Sequence, residues 1–335
     1  MRFSPARAVS RWTGSALTVL AVACVGVSVV GTESHAPTVS VRLADSANPL
    51  AGMPFYVNPN SVVMHAAQRA DPPSPQLNLI ANTPQAYWIT PGSSGSTVAK
   101  YTSDAAAAGA IPVLSIYGIP HRDCGSFAAG GMGSADSYRG WIDGIATDIG
   151  ANRAAVILEP DALAMADCLS GDQRDERYDL ISYAIGSLTR NPDTAVYVDA
   201  GHLRWHTADD MAARLNRVGV TRARGFSLNT ANFYTTDDEI GYGEAISGLT
   251  NGSHYVIDTS RNGLGPATGV ALDWCNPSGR ALGSMPTTNT AGAHADAYLW
   301  VKRPGESDGT CDKGDPGAGT FVNDYAIDLA RRAGY

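Results

Sequence analysis

The sequence predicts an α/β barrel. Short apolar, β-rich runs recur at 86–89, 111–117, 155–158, 195–198, 225–228, 255–257 and 297–301. Continuous apolar runs of this length suit strands buried on both faces, as in a parallel sheet. Stretches of helical period lie between them, and strand–helix alternation repeated about seven times favours a barrel over an open sheet.

In chain order, the first stretch is expected to be a targeting signal rather than fold. Arg2, Arg7 and Arg11 precede an apolar run at 16–30, and small and polar residues follow at 31–36. Ser34-His35-Ala36 is a candidate cleavage site, although Pro37 follows it. The signal is placed at 1–36, a disordered leader at 37–51 and a single catalytic domain at 52–335. An uncleaved membrane anchor is the alternative, but the run is short for a spanning helix. A lipoprotein site at Cys24 fits less well, because Ala21 rather than Leu stands three residues before it.

Within the domain, 96–108 carries Val98, Tyr101 and Ala105 at helical spacing, and 138–149 puts Trp141, Ile142, Ile145 and Ile149 on one face. Segments 175–188 and 209–218 follow the same period. Charged residues are only 17% of the chain, while Gly (36) and Pro (19) are plentiful, which suits a loop-rich enzyme. The net charge of −8 and the lack of a basic stripe exclude attraction to nucleic acid or anionic membrane.

Export makes Cys124, Cys168, Cys275 and Cys311 readable as two disulfides with three possible pairings. Their spacings match no zinc-finger pattern. His202 and His206 look like a metal pair at helical spacing, but no third ligand converges with them, so neither metal nor cofactor is expected.

The chemistry collects where the strands end. After 111–117 comes Gly118-Ile119-Pro120-His121-Arg122-Asp123-Cys124, and after 155–158 comes Glu159-Pro160-Asp161. The run at 195–198 ends at Asp199-Ala200-Gly201-His202, 255–257 at Asp258, and 297–301 leads to Lys302 and Gly305-Glu306-Ser307-Asp308. In α/β barrels the strand C-termini converge on the face that holds the active site. A lone Asp after a strand is more often a turn former or a helix cap, as Asp199 and Asp258 could be. Glu159 fits a structural hydrogen-bonding group better than an acid. Five strands delivering carboxylates to one rim outweigh those readings.

Several carboxylates with aromatics, and no metal or nucleotide motif, fit glycoside hydrolysis. That reaction needs a protonated carboxyl at the leaving oxygen and a charged group on the opposite side. A second aspartate beside the acid raises its pKa by like-charge repulsion. Trp88, Trp205 and Trp274 lie near strand ends or in Gly/Pro-rich loops and offer flat faces to sugar rings, whereas Trp141 and Trp300 belong to the core.

From Pro54 onward these motifs resemble glycoside hydrolase family 6, the inverting cellulases. The resemblance rests on Tyr117…Arg122-Asp123-Cys124, Glu159-Pro160-Asp161, Asp199-Ala200-Gly201-His202, Ile257-Asp258-Thr259-Ser260-Arg261-Asn262-Gly263, Trp274-Cys275-Asn276-Pro277 and Lys302…Gly305-Glu306-Ser307-Asp308-Gly309. It implies a distorted, roughly seven-stranded parallel α/β barrel. It implies Asp161 as general acid, Asp123 as the aspartate that raises the acid's pKa, Asp308 as the debated base and Tyr117 beneath the distorted sugar. Trp88, Asp199, His202, Trp205, Asn232, Trp274, Lys302 and Glu306 fall at substrate-binding positions. The implied disulfides are Cys124–Cys168 and Cys275–Cys311.

One position departs from the pattern. Some members carry a water-holding serine six residues after the first aspartate, where this chain has Ala129; Ser126 or Ser134 could substitute. Exo-acting relatives enclose the cleft with long insertions, whereas 276–302 and 308–325 are short here. The expectation is therefore a secreted, monomeric endo-β-1,4-glucanase acting on β-1,4-glucan and cello-oligosaccharides. A cellobiohydrolase, a non-catalytic glycan-binding protein and a cell-surface structural protein are the rivals.

Overall fold

Every apolar run expected to be a strand is one, and the seven pair in parallel in chain order. The computed structural model describes residues 47–93 and 95–335. The expected signal at 1–36, with Cys24, and residues 37–46 of the expected leader lie outside the described residues. The strands are β1 (Tyr87–Ile89), β2 (Val113–Ile116), β3 (Ala154–Leu158), β4 (Thr194–Asp199), β5 (Gly225–Leu228), β6 (His254–Asp258) and β7 (Ala295–Leu299). Each of the first five is followed by a helix: α3 (Gly95–Ala107), α4 (Ala135–Ile149), α5 (Gly171–Leu188), α6 (Ala208–Val218) and α7 (Thr236–Leu249). Parallel neighbours need such crossovers, and the helices cover the outer face of the sheet.

The sheet curls, and side-chain alternation sorts its two faces. Ala154, Val156 and Leu158 of β3 face the helix layer, while Ala155 and Ile157 join Val113, Tyr197, Val256 and Leu299 in a separate inner core. The strands β1 and β7 end the pairing order, so the barrel is distorted. Across that seam Ala86 N–H donates to Trp300 O at 2.9 Å, and Trp88 Nε1–H to Val301 O at 2.8 Å.

The expected leader ends sooner than residue 51. Leu50 is 0% exposed in the inner core, and Asn48 Nδ2 donates to Asp296 O at 2.6 Å. Among the described residues of that stretch Leu50 alone is buried, and one buried side chain makes no pattern.

Four helices lie outside the segments expected to be helical: α1 (Val62–Arg69), α2 (Pro75–Ala81), α7 and α8 (Asn323–Arg332). The first two pack with α8 around Leu77, Ile80, Trp300 and Leu329. In α7, Gly241, Gly243 and Gly248 blunt the apolar stripe. A Cβ at Gly243 would fall 2.7 Å from the Tyr255 ring, so packing rather than propensity chose it. Trp300 is buried as expected, and Trp141 packs partly buried against the outer core.

Candidate active site

The strand C-termini open into a cleft of about 730 Å³. Tyr117, Asp123, Asp161, Asp308, Trp88, His202, Trp205, Asn232, Trp274, Lys302 and Glu306 all line it. Asp199 does not.

Asp199 ends β4 on an inward register and is fully buried. Its Oδ1 accepts the backbone N–H groups of Asp161 (2.9 Å) and Gly201 (3.0 Å), and its Oδ2 accepts the Ser227 hydroxyl (3.0 Å). Protein donors meet both oxygens, and through Oδ1 it holds the Asp161 backbone from below the cleft. Burial pushes its pKa up to about 6.

Asp161 follows β3 through a turn in which Glu159 (φ 53°) and Asp161 (φ 68°) adopt left-handed backbone. Non-glycine residues hold that conformation only where their surroundings impose it. The Asp161 pKa is raised well above the carboxylate range by burial first, then by Asp199, Asp123 and Asp308, with Lys302 opposing. Its proton therefore persists at pH values where an ordinary aspartate is ionised. Beneath it, Glu159 accepts N–H bonds from Gly118 (2.9 Å) and Ile119 (3.0 Å), and burial pushes its pKa up to about 7.

Asp123 lies in the single-turn helix Asp123–Gly125. Its Oδ2 accepts Ala128 N–H at 2.7 Å. Burial raises its pKa, while Ala128 N–H, the Arg122 charge and the Ser126 hydroxyl counteract. Of the two candidate serines, Ser126 therefore sits in the cleft against Asp123, while Ser134 caps the start of α4. Arg122 stacks 4.4 Å over the Tyr117 ring and donates to Tyr117 O at 2.8 Å and Ala128 O at 2.9 Å. Trp88 meets Tyr117 edge-on at 5.3 Å.

Asp308 occupies the opposite electrostatic setting. Arg261 Nη1 lies 2.8 Å and Lys302 Nζ 3.0 Å from its oxygens, and Asn276 N–H donates at 3.1 Å. Burial alone would raise its pKa, but Arg261, then Lys302, hold it below the usual range. Asn276 fixes the loop by accepting Asp308 N–H (2.7 Å) and donating to Ser307 Oγ (2.9 Å). Asp258 is no helix cap. Fully buried, it accepts N–H bonds from Ala231, Ser260, Val301 and Lys302 at 2.9–3.2 Å.

The disulfides Cys124–Cys168 and Cys275–Cys311 brace these loops. They close separations of 44 and 36 residues, each worth about 4 kcal/mol in the chain-entropy view.

Aromatic faces complete the cleft. His202 stacks on Tyr234 at 4.4 Å and neighbours Trp205 at 5.2 Å, and burial lowers its pKa to about 4, leaving a neutral ring. His206 instead pairs with Asp210 and bonds Ala164 O. Trp274 is 38% exposed, 5.9 Å from Phe127. Arg122, Phe127, Arg204, Tyr234 and Asp273 also line the cleft, although none was singled out from sequence. Arg122, Arg261 and Asn276 stood inside the motif blocks, so a signal was there; Arg204 and Asp273 carried none.

The model of the family described as Glycosyl hydrolases family 6 matches residues 50–333. Endoglucanase A of Cellulomonas fimi is 46% identical over 284 residues, covering 83% of this chain and 61% of that protein. Endoglucanase 1 of Streptomyces halstedii is 40% identical, covering 82% and 88%. A 1,4-beta-D-glucan cellobiohydrolase C of Emericella nidulans is 30% identical, covering 88% and 80%. Among solved structures, the endoglucanase Cel6 of Mycobacterium tuberculosis, in complex with a methyl-cellobiosyl-4-deoxy-4-thio-β-D-cellobioside, superposes with TM-score 0.85 at 68% identity. It covers 86% of this chain and 100% of its own. The chain spans about three fifths of the first two curated relatives.

Proposed function

The chain belongs to glycosyl hydrolase family 6, and from that premise we propose that it is an endo-acting β-1,4-glucanase that inverts the anomeric centre. The observation that carries this is the Asp161 carboxyl, whose pKa burial and then the like charges of Asp199, Asp123 and Asp308 raise, in a cleft lined with aromatic rings. Endo action is favoured because the endoglucanase-named relatives stand at 40–46% identity and the cellobiohydrolase at 30%.

Asp161 donates its proton to the glycosidic oxygen as the bond breaks, and water attacks the anomeric carbon from the other face. Asp308, anionic between Arg261 and Lys302, is the proposed acceptor of the water's proton, directly or through a second water. A carboxylate held this low is a weak base. It takes the proton late, once water has bonded to carbon and become strongly acidic. Trp88, Trp205 and Trp274 seat glucose rings, and neutral His202, Asn232, Lys302 and Glu306 bind hydroxyls.

The basic, then apolar start of the sequence and the two disulfides support export to an oxidising compartment. Among the described residues no helix is long and apolar enough to cross a membrane.

The test combines two measurements. Viscosity of a soluble cellulose derivative should fall early relative to released reducing ends, and proton NMR should show fresh α-anomer. Nearly pure cellobiose from the outset would replace endo with exo action, and fresh β-anomer would overturn the mechanism.

A further inference from the structure

The loops that carry Asp123 and Asp161 are joined from beneath by a side chain that does not reach the cleft. Arg177 stands in the second turn of α5 and is 2% exposed. Its Nη1 donates to the carbonyl of Ala162, next to Asp161, at 3.2 Å. Its Nη2 donates to Pro120 O at 3.1 Å and His121 O at 2.7 Å, just before Asp123. Glu159 grips the same segment from its other side, through the N–H groups of Gly118 and Ile119. Residues 118–121 are thus held by their donors and their acceptors at once.

Two features separate this from ordinary core packing. A buried guanidinium is costly, and Arg177 Nε has no hydrogen-bond partner among the described residues, so an apolar side chain would fill the space at lower cost if only volume mattered. The segments it joins are also conformationally strained: His121, Asp123, Cys124, Glu159 and Asp161 all have φ between 49° and 68°. Such backbone persists only when its surroundings over-determine it. The fork of Arg177 supplies that constraint on both loops together.

We propose that Arg177 is a positioning residue for proton delivery, which fixes Asp161 relative to Asp123 by gripping the carbonyls of both loops. This rests on the reading of Asp161 as the general acid. The Cys124–Cys168 disulfide ties the same two loops, so they stay attached without Arg177, but with slack. A displacement of about 1 Å in a reacting group costs on the order of 100-fold in rate.

The experiment uses Arg177→Met and Arg177→Lys, with cellopentaose and dinitrophenyl β-cellobioside as substrates. With Arg177→Met, kcat on cellopentaose should fall roughly 100-fold with KM nearly unchanged. The dinitrophenyl substrate, whose leaving group needs no proton, should lose far less. As Asp123 relaxes away from Asp161, one cause of the acid's raised pKa weakens, and the alkaline limb of kcat/KM moves to lower pH. Arg177→Lys should lie between parent and Arg177→Met, and it carries the test alone if circular dichroism shows the Met variant unfolded. Equal losses on both substrates with an unmoved alkaline limb, or unchanged kcat, overturn the positioning role while leaving the endoglucanase reading intact. A parent chain inert on both substrates overturns that reading and this inference with it.

Discussion

Asp161 and Asp308 line the same cleft, both on segments that follow barrel strands, and their carboxyls are driven in opposite directions. Around Asp161 stand Asp199, Asp123 and Asp308, so removal from water and like charge act together to keep a proton on it. Around Asp308 stand Arg261 and Lys302, whose charges overcome the same desolvation and keep the proton off. Burial by itself raises a carboxyl's pKa, as at Glu159; at Asp308 two cations outweigh it, because charges interact more strongly away from water. An acid and an anion placed in one cleft need only different neighbours.

The largest expected effect comes from removing the proton donor. Asp161→Ala should lower turnover of unactivated cello-oligosaccharides by roughly 10²–10⁴-fold. Binding should change little, and part of the activity should survive on substrates with good leaving groups. Near-parental turnover on a plain cello-oligosaccharide would take the acid role from Asp161 and collapse the contrast.

Asp308→Asn attacks the other half. It strands two buried cations, and breaking a buried pair costs roughly 3–5 kcal/mol. Denaturant unfolding at pH 7 should show that loss, and a parental midpoint would mean the ion pairs contribute nothing. The pH dependence follows from the sign. A folded pKa below the unfolded value near about 3.9 contributes stability above that value, which is lost as pH falls through the folded one. Azide should restore turnover to Asp308→Ala if this carboxylate receives the water's proton; full activity without azide would remove it from the chemistry.

The smallest effect is also the sharpest test of the contrast. With its pKa raised, Asp161 binds more protons folded than unfolded, so it lowers stability as pH climbs from about 3.9 towards the folded value. Asp161→Asn should therefore raise Tm at neutral pH, and the gain should vanish near pH 4. A lowered neutral-pH Tm would show that the acid's environment is not strained.

Much of this was legible beforehand. The seven strands could be read because runs such as Ala154–Leu158 are buried on both faces and therefore apolar throughout. Helix α7 was not, since Gly241, Gly243 and Gly248 interrupt its apolar stripe, and Gly243 answers to Tyr255 on a neighbouring strand rather than to helix propensity. Cleft residues in motif blocks, Asp123, Asp161 and Trp274 among them, were found; Arg204 and Asp273, which stand out in no local pattern, were not.

The sequence by itself determined the alternation that makes a curled parallel sheet, and it determined which strands end in carboxylates. Side-chain period and chain order are local properties, and they survive projection onto one dimension. Tertiary structure alone decided what each carboxylate does. Asp199 lies 38 residues from the Asp161 amide it holds, and Arg261 lies 47 residues from Asp308. Coulomb energy and hydrogen bonding depend on separation in space, so the same residue type becomes a carboxyl of raised pKa, a paired anion or a buried brace only once the barrel has brought those partners together.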